Sequence, residues 1–160
     1  MKDLNISAKI NICSYNELNE TEKKLIDTAK QACLRAYAAY SKFKVGAAVL
    51  LANGDIFSGN NQENAAYPSG LCAERTAIFY ANSRYPDQAV DTIAIVAHNG
   101  IDFTEQVITP CGACRQVILE AQNRFNHPVR LILFGKKEIY IVPKITDILP
   151  LSFGIENLNG

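Results

Sequence analysis

Residues 45–61, VGAAVLLANGDIFSGNN, decide how this chain is laid out. Two short apolar runs, 45–51 and 55–59, flank Asn53-Gly54, a pair that tolerates the positive φ angles of a type I′ turn, so the segment predicts a β-hairpin. Upstream, residues 19–40 (NETEKKLIDTAKQACLRAYAAY) place Leu25, Ile26, Ala29, Ala32, Cys33, Ala36 and Tyr37 at spacings of three and four. That stripe predicts an amphipathic helix, with Asn19 and Glu22 as its N-terminal capping pair and Thr21 as an alternative cap. Downstream the pattern gives a helix over 73–82, a strand over 91–98, a helix over 112–123, strands in VRLILFG and KEIYIVP, and a short helical turn near 145–149. A strand, a crossover helix and a further strand imply parallel pairing with helices packed on the sheet. The expected architecture is α/β, a mixed sheet of about five strands, and the alternation in LNISAKINI offers an additional edge strand.

The chain has 160 residues, 48% hydrophobic and 20% charged, with 16 Lys+Arg against 16 Asp+Glu. This length predicts a single domain over 1–160 that buries roughly two thirds of its unfolded surface. No repeat, low-complexity tract or linker interrupts it. A net charge of +0 weighs against nucleic acid as a partner, because phosphate neutralisation needs a surplus of cations on one face. No apolar run is long enough for a membrane span, and the first twenty residues lack the apolar core of a signal peptide. The expectation is a cytoplasmic protein with no membrane partner.

Five cysteines, an odd number, in a chain expected to stay reduced argue against a disulfide framework. Cys13 and Cys33 read as small core residues. The other three lie in SGLCAERTAIFYA (69–81) and TPCGACRQVILE (109–120), where a loop enters a predicted helix. Exposed N–H groups and the helix dipole favour a thiolate there. Cys111 and Cys114 are three apart and can face one point near a helix start, while Cys72 can return to the same place across a helix and a strand. Three thiolates leave one tetrahedral position free, the mark of a catalytic and not a structural zinc site. His98 and His127 read as surface histidines. Glu74 is placed to take a proton from an activated water, although on CAE alone the preferred reading is an exposed acid of a first helical turn. Zinc with three thiolates carries a net charge of −1, which a neighbouring cation should offset; Arg75 and Arg115 are the candidates, one or both of which could instead make ordinary surface ion pairs, and Arg75 alone is favoured.

The pairing of C-x-E with P-C-x-x-C resembles the zinc signature of nucleoside and nucleobase deaminases. With AYAAYSKFKVGAAVLL, SGNNQENAAYPSGLCAERTAIFYA and LPLSFGIENL, the chain is similar from about residue 21 to 158 to the small homotetrameric cytidine deaminases, the three-cysteine zinc branch. The resemblance implies a three-layer α-β-α fold and hydrolytic deamination of cytidine and 2′-deoxycytidine, releasing ammonia, in pyrimidine salvage. It implies one Zn²⁺ per subunit on Cys72, Cys111 and Cys114, with Glu74 shuttling protons. It also implies that Asn61 and Glu63 bind the ribose hydroxyls, with Asn64 in the loop lining the sugar. Ala65 and Tyr67 would reach the 5′ side from a neighbouring subunit. Phe43 and Phe153 would pack on the pyrimidine, the latter from another subunit, and the Ala73 N–H would meet O2 of the base. Thr109 and Pro110 would lie near the leaving amine. Gln62 and the turn YPSGL depart from the commoner pattern, and residues 1–20 match poorly, an extension with no assigned role.

Two rival readings accompany this one. A deaminase of the same chemistry could act on another cytosine-like substrate, such as a nucleoside antibiotic or a cytosine in a polynucleotide. Alternatively, Cys111-Gly-Ala-Cys114 could serve a thiol-redox or structural-zinc protein, which leaves Cys72 and Glu74 unexplained.

Overall fold

The computed structural model describes residues 1–158. A short strand β1 (Asn11–Cys13) leads through one 3-10 turn into helix α1 (Glu20–Leu34). Asn19 caps α1 as the sequence suggests, its side chain accepting from the Glu22 N–H at 2.9 Å while Glu22 accepts from the Asn19 N–H at 2.9 Å. The helix stops at Leu34, six residues short of the stretch its apolar spacing predicts. The backbone beyond it is captured elsewhere: the Tyr37 N–H donates to the Asn61 carbonyl at 3.1 Å and the Glu63 N–H to the Tyr37 carbonyl at 2.9 Å. Periodicity alone could not show that competing partner.

Strands β2 (Lys44–Leu51) and β3 (Ile56–Asn60) form the expected hairpin. Its turn is not type I′. Gly54 has φ of +90°, Asn53 does not share the positive φ, and the Gly54 N–H closes onto the Leu51 carbonyl at 2.9 Å. A three-residue connection with a single left-handed glycine satisfies the twist that the sequence pair had suggested for two. Next come α2 (Ala73–Arg84), β4 (Val90–His98), α3 (Gly112–Phe125), β5 (Arg130–Phe134), β6 (Ile139–Val142), a 3-10 turn at Ile145–Asp147 and a short α4 (Ile155–Leu158).

The six strands lie in the order β1-β6-β5-β4-β2-β3, so the offered edge strand is present as β1, paired antiparallel with β6. The neighbouring pair β4 and β5 is parallel, joined by the α3 crossover, and the remaining neighbours are antiparallel. Period-2 alternation assigns the faces. Ala47, Val49, Ile93, Ile95, Leu131 and Leu133 pack with Ala77 and Ile78 of α2 and Ile118 of α3; Ala48, Ala94, Val96, Ile132 and Ile141 pack with Leu25, Ile26 and Ala29 of α1. This is the three-layer α-β-α arrangement, and β4, buried on both faces, reads as a continuous apolar run for that reason. Among the described residues no helix is long and apolar enough to cross a membrane.

Since β3 and β4 both run antiparallel to β2, they point the same way, and the helices that follow them start at the same sheet end. The carboxyl ends of parallel strands are where such folds open a crevice. Gly59 on β3 lets α2 lie close: a Cβ there would stand 2.5 Å from the Ala77 nitrogen and 3.0 Å from the Ala73 oxygen.

Candidate active site

Cys72 is the N-cap residue of α2 (φ −72°, ψ 153°) and Cys111 that of α3 (φ −65°, ψ 168°), with Cys114 in the first turn of α3. Neither cap sulfur accepts a capping hydrogen bond from its own helix, so both remain available to a shared centre. The Sγ atoms of Cys72 and Cys111 are 4.0 Å apart, and all three sulfurs lie within 4.8 Å of one another. Zinc–sulfur bonds of about 2.3 Å in tetrahedral geometry place sulfurs about 3.8 Å apart, so the cluster fits zinc with small adjustment.

The thiols also show why a cation belongs there. A hydrogen bond from Cys114, followed by help from Arg75 and Cys111, pulls the Cys72 thiol down to about 5 against the cost of its burial. The same pairing with Cys72, together with burial and the nearby Glu74, pushes Cys114 up. One negative charge suppresses the next at this separation, and a bound divalent cation removes the conflict. Arg75, one turn into α2, donates from Nη2 to Cys72 Sγ at 3.7 Å, while its Nε is buried without a hydrogen-bond partner. Arg115 points elsewhere. Its guanidinium holds the carbonyls of Pro110 (2.8 Å) and Ile148 (2.7 Å) and the Thr109 hydroxyl (3.2 Å), and so fixes the loop that delivers Cys111.

Glu74 is 4% exposed, the one buried acid among the described residues. Burial pushes its carboxyl above the ordinary carboxylate range, and the neighbouring Cys72 charge adds to this. A buried carboxyl beside a cluster ligand stands where a general acid–base group belongs.

Beside the cluster lies a cavity of about 500 Å³. Of the residues expected to bind substrate, Asn61, Glu63, Asn64 and Tyr67 line it together with Cys72 and Arg75. The Asn61 side chain accepts from the Val45 N–H at 2.7 Å and donates to the Phe43 carbonyl at 3.0 Å, which ties the sugar loop to the start of β2. Phe43 itself is half-buried and Ala73 fully buried at the start of α2, and neither lines the cavity. Ala65 is exposed outside the cavity wall. Phe153 is 58% exposed, with its carbonyl held by Gln116 of α3, and it too is absent from the wall within one chain. His98 and His127 take no part in the sulfur cluster; His127 pairs with Asp91 at 3.1 Å. Tyr40 and Ser41, which line the cavity, escaped the sequence reading because each looked like part of a helix end or a loop.

A cation-binding cluster with a free fourth position, flanked by a buried carboxylate at a crevice in an α-β-α sheet, is the working arrangement of a metal-dependent hydrolase. Comparison with known proteins narrows that class. The family model described as "Cytidine and deoxycytidylate deaminase zinc-binding region" matches residues 19–126. The cytidine deaminase of Sporosarcina psychrophila is 45% identical over 138 residues, 86% of this chain and 94% of that protein. The cytidine deaminase of Halalkalibacterium halodurans is 48% identical over 96 residues, 60% of this chain and 68% of that protein. The crystal structure of cytidine deaminase from Burkholderia pseudomallei superposes with a TM-score of 0.71 at 38% identity, covering 81% of this chain and 97% of that one. The chain belongs to the cytidine and deoxycytidylate deaminase family and is a zinc-dependent hydrolytic deaminase.

Proposed function

We propose that this enzyme deaminates cytidine and 2′-deoxycytidine, consuming water and releasing ammonia, and so returns pyrimidine nucleosides to salvage as uridine and 2′-deoxyuridine. Cys72, Cys111 and Cys114 hold the zinc. When bound, zinc supplies an activated water and polarises the reacting centre. Glu74 takes a proton from that water and delivers it to N3 of the pyrimidine, which makes C4 electrophilic. The water oxygen would bond to C4, and Glu74 would then take the proton left on that oxygen and deliver it to the amine, so that the C4–N bond breaks as the C4 carbonyl forms and ammonia leaves. Arg75 offsets the excess negative charge of the thiolates. The observation that carries this reading is the buried Glu74 two residues from Cys72, a cluster ligand that also lines the cavity walled by Asn61 and Glu63.

In the same reading Asn61, Glu63 and Asn64 take the sugar, Phe43 and Phe153 pack on the base, the Ala73 N–H meets O2, and Thr109 and Pro110 border the amine. Ala65, Tyr67 and Phe153 act on a neighbouring subunit's site in a homotetramer, Tyr67 while also lining the cavity of its own chain; Tyr67 is 78% and Phe153 58% exposed on one chain. The chain works as one catalytic domain in the cytoplasm, with residues 1–20 outside the chemistry. The decisive test pairs a zinc assay with ammonia release from cytidine, 2′-deoxycytidine, a cytosine-bearing nucleoside antibiotic and single-stranded DNA. Stoichiometric zinc with turnover of the two nucleosides supports the reading; preference for the antibiotic or the polynucleotide, or an active monomer on sedimentation, refutes its substrate or its oligomer respectively.

A further inference from the structure

The Glu63 carboxylate is held by one short segment, Tyr40-Ser41. Oε2 accepts the Tyr40 N–H at 2.7 Å and the Ser41 N–H at 3.2 Å, and Oε1 accepts the Ser41 hydroxyl in a short bond. That hydroxyl in turn accepts the Phe43 N–H at 3.0 Å. A hydroxyl has one proton to give, and of the two acceptors in reach, Glu63 Oε1 and the more distant Phe43 carbonyl at 3.4 Å, the closer carboxylate takes it. A relay therefore runs from the Phe43 backbone through Ser41 Oγ to Glu63. A carboxylate offers about four acceptor positions, and three donors leave about one facing the cavity. The segment is itself pinned: the Lys42 N–H closes onto the Ala38 carbonyl at 3.1 Å, with Lys42 in the left-handed region at φ 59° and its ammonium on the Ala39 carbonyl at 2.6 Å.

We infer that Ser41 is a positioning residue for substrate recognition: its hydroxyl holds the Glu63 carboxylate in the orientation that leaves a single acceptor for one sugar hydroxyl, and couples that carboxylate to the Phe43 backbone just ahead of β2. This inference rests on the proposed role of Glu63 in binding the sugar. The same donors hold the Glu63 carboxyl below the usual carboxylate range, the Ser41 hydroxyl foremost. Ser41 touches no reacting atom, and it is exposed on the isolated chain, so its truncation hollows no core.

The test crosses the enzyme with the substrate. Zinc-loaded wild type, Ser41→Ala, Ser41→Thr and Glu63→Gln are each assayed on cytidine and on 2′,3′-dideoxycytidine, which lacks both ring hydroxyls of the sugar. A hydrogen bond to a charged group lost from a binding site is worth about tenfold or more in affinity. Ser41→Ala is expected to lower kcat/KM for cytidine about tenfold, mainly through KM, and to change that for the dideoxy substrate less than twofold; Ser41→Thr, which keeps the hydroxyl, restores the cytidine value. Equal losses on both substrates for Ser41→Ala, or no rescue by threonine, overturn the inference while Glu63→Gln still discriminates between the substrates. Should Glu63→Gln lose equally on both, the sugar role of Glu63 fails and the inference falls with it.

Discussion

Replacing Gly59 by alanine should damage the metal site without touching it. The added Cβ would lie 2.5 Å from the Ala77 nitrogen, 2.9 Å from Thr76 Cβ and 3.0 Å from the Ala73 oxygen, whereas ordinary contact begins at 3.4 Å. These atoms belong to α2, and two of the three are backbone, so no flexible tip can swing away. The helix must retreat by about 0.9 Å at that point, the difference between 3.4 and 2.5 Å. Overpacking of this kind costs about 1–3 kcal/mol. With an unfolding entropy of about 2.1 cal/mol/K per residue, 160 residues give roughly 3 °C per kcal/mol, hence a fall in Tm of about 3–9 °C. Cys72 caps the same helix one residue before Ala73, and metal–ligand distances tolerate only about 0.2 Å, so zinc affinity should fall at least tenfold. Thermal melting of the metal-free and zinc-loaded forms, with chelator competition, measures both effects. Gly54→Ala is the control: its Cβ would meet nothing within 4 Å, so only the cost of φ +90° remains and zinc affinity should not move. Unchanged Tm and zinc affinity in Gly59→Ala would refute the argument that the β3–α2 contact sets the position of Cys72.

Glu74→Gln preserves the shape of a buried side chain and should keep its zinc while losing turnover by at least 10²- to 10⁴-fold, read as ammonia release against metal content. Cys72→Ala should instead lose stoichiometric zinc, with activity lost as a consequence, since two sulfurs remain on one helix and none on the other. For Glu63 the sign follows from a lowered folded-state value: its ionised contacts stabilise the Tyr40-Ser41 loop above the unfolded value of 4.5 and are lost only as pH falls through the lower folded one. The KM for cytidine should therefore stay unaffected by this group from neutral pH down to about 4.5 and rise below it; a rise in KM tracking a group that titrates near pH 6 would contradict it.

Much of this enzyme was legible in the chain itself. Apolar runs in β2 and β4 marked strands covered on both faces, and the three-four spacing in α1 marked the helix face that packs on them, because burial on one face demands a period and burial on two does not. Three cysteines at two loop-to-helix junctions implied a cation, because helix starts favour thiolates. What the chain could not show was which backbone groups would compete. The AYAAY end of the predicted helix is indistinguishable by spacing from its middle, and only the approach of residues 61–63 takes its N–H and carbonyl groups away and ends α1 at Leu34. The turn at Gly54 was decided in the same way, by how the two strands meet.

The residues determined by sequence are thus those whose chemistry is intrinsic: thiols, a carboxyl, an apolar stripe. Tertiary structure decided the pairings. It brought Cys72 within 4.0 Å of Cys111 across 39 positions, sent Arg75 and not Arg115 to a sulfur, buried Glu74 and set Ser41 against Glu63. The meeting of Cys72 with Cys111 depends on β3 and β4 running the same way, so that two helices begin at one end of the sheet, a property of the strand order that no local stretch of residues contains.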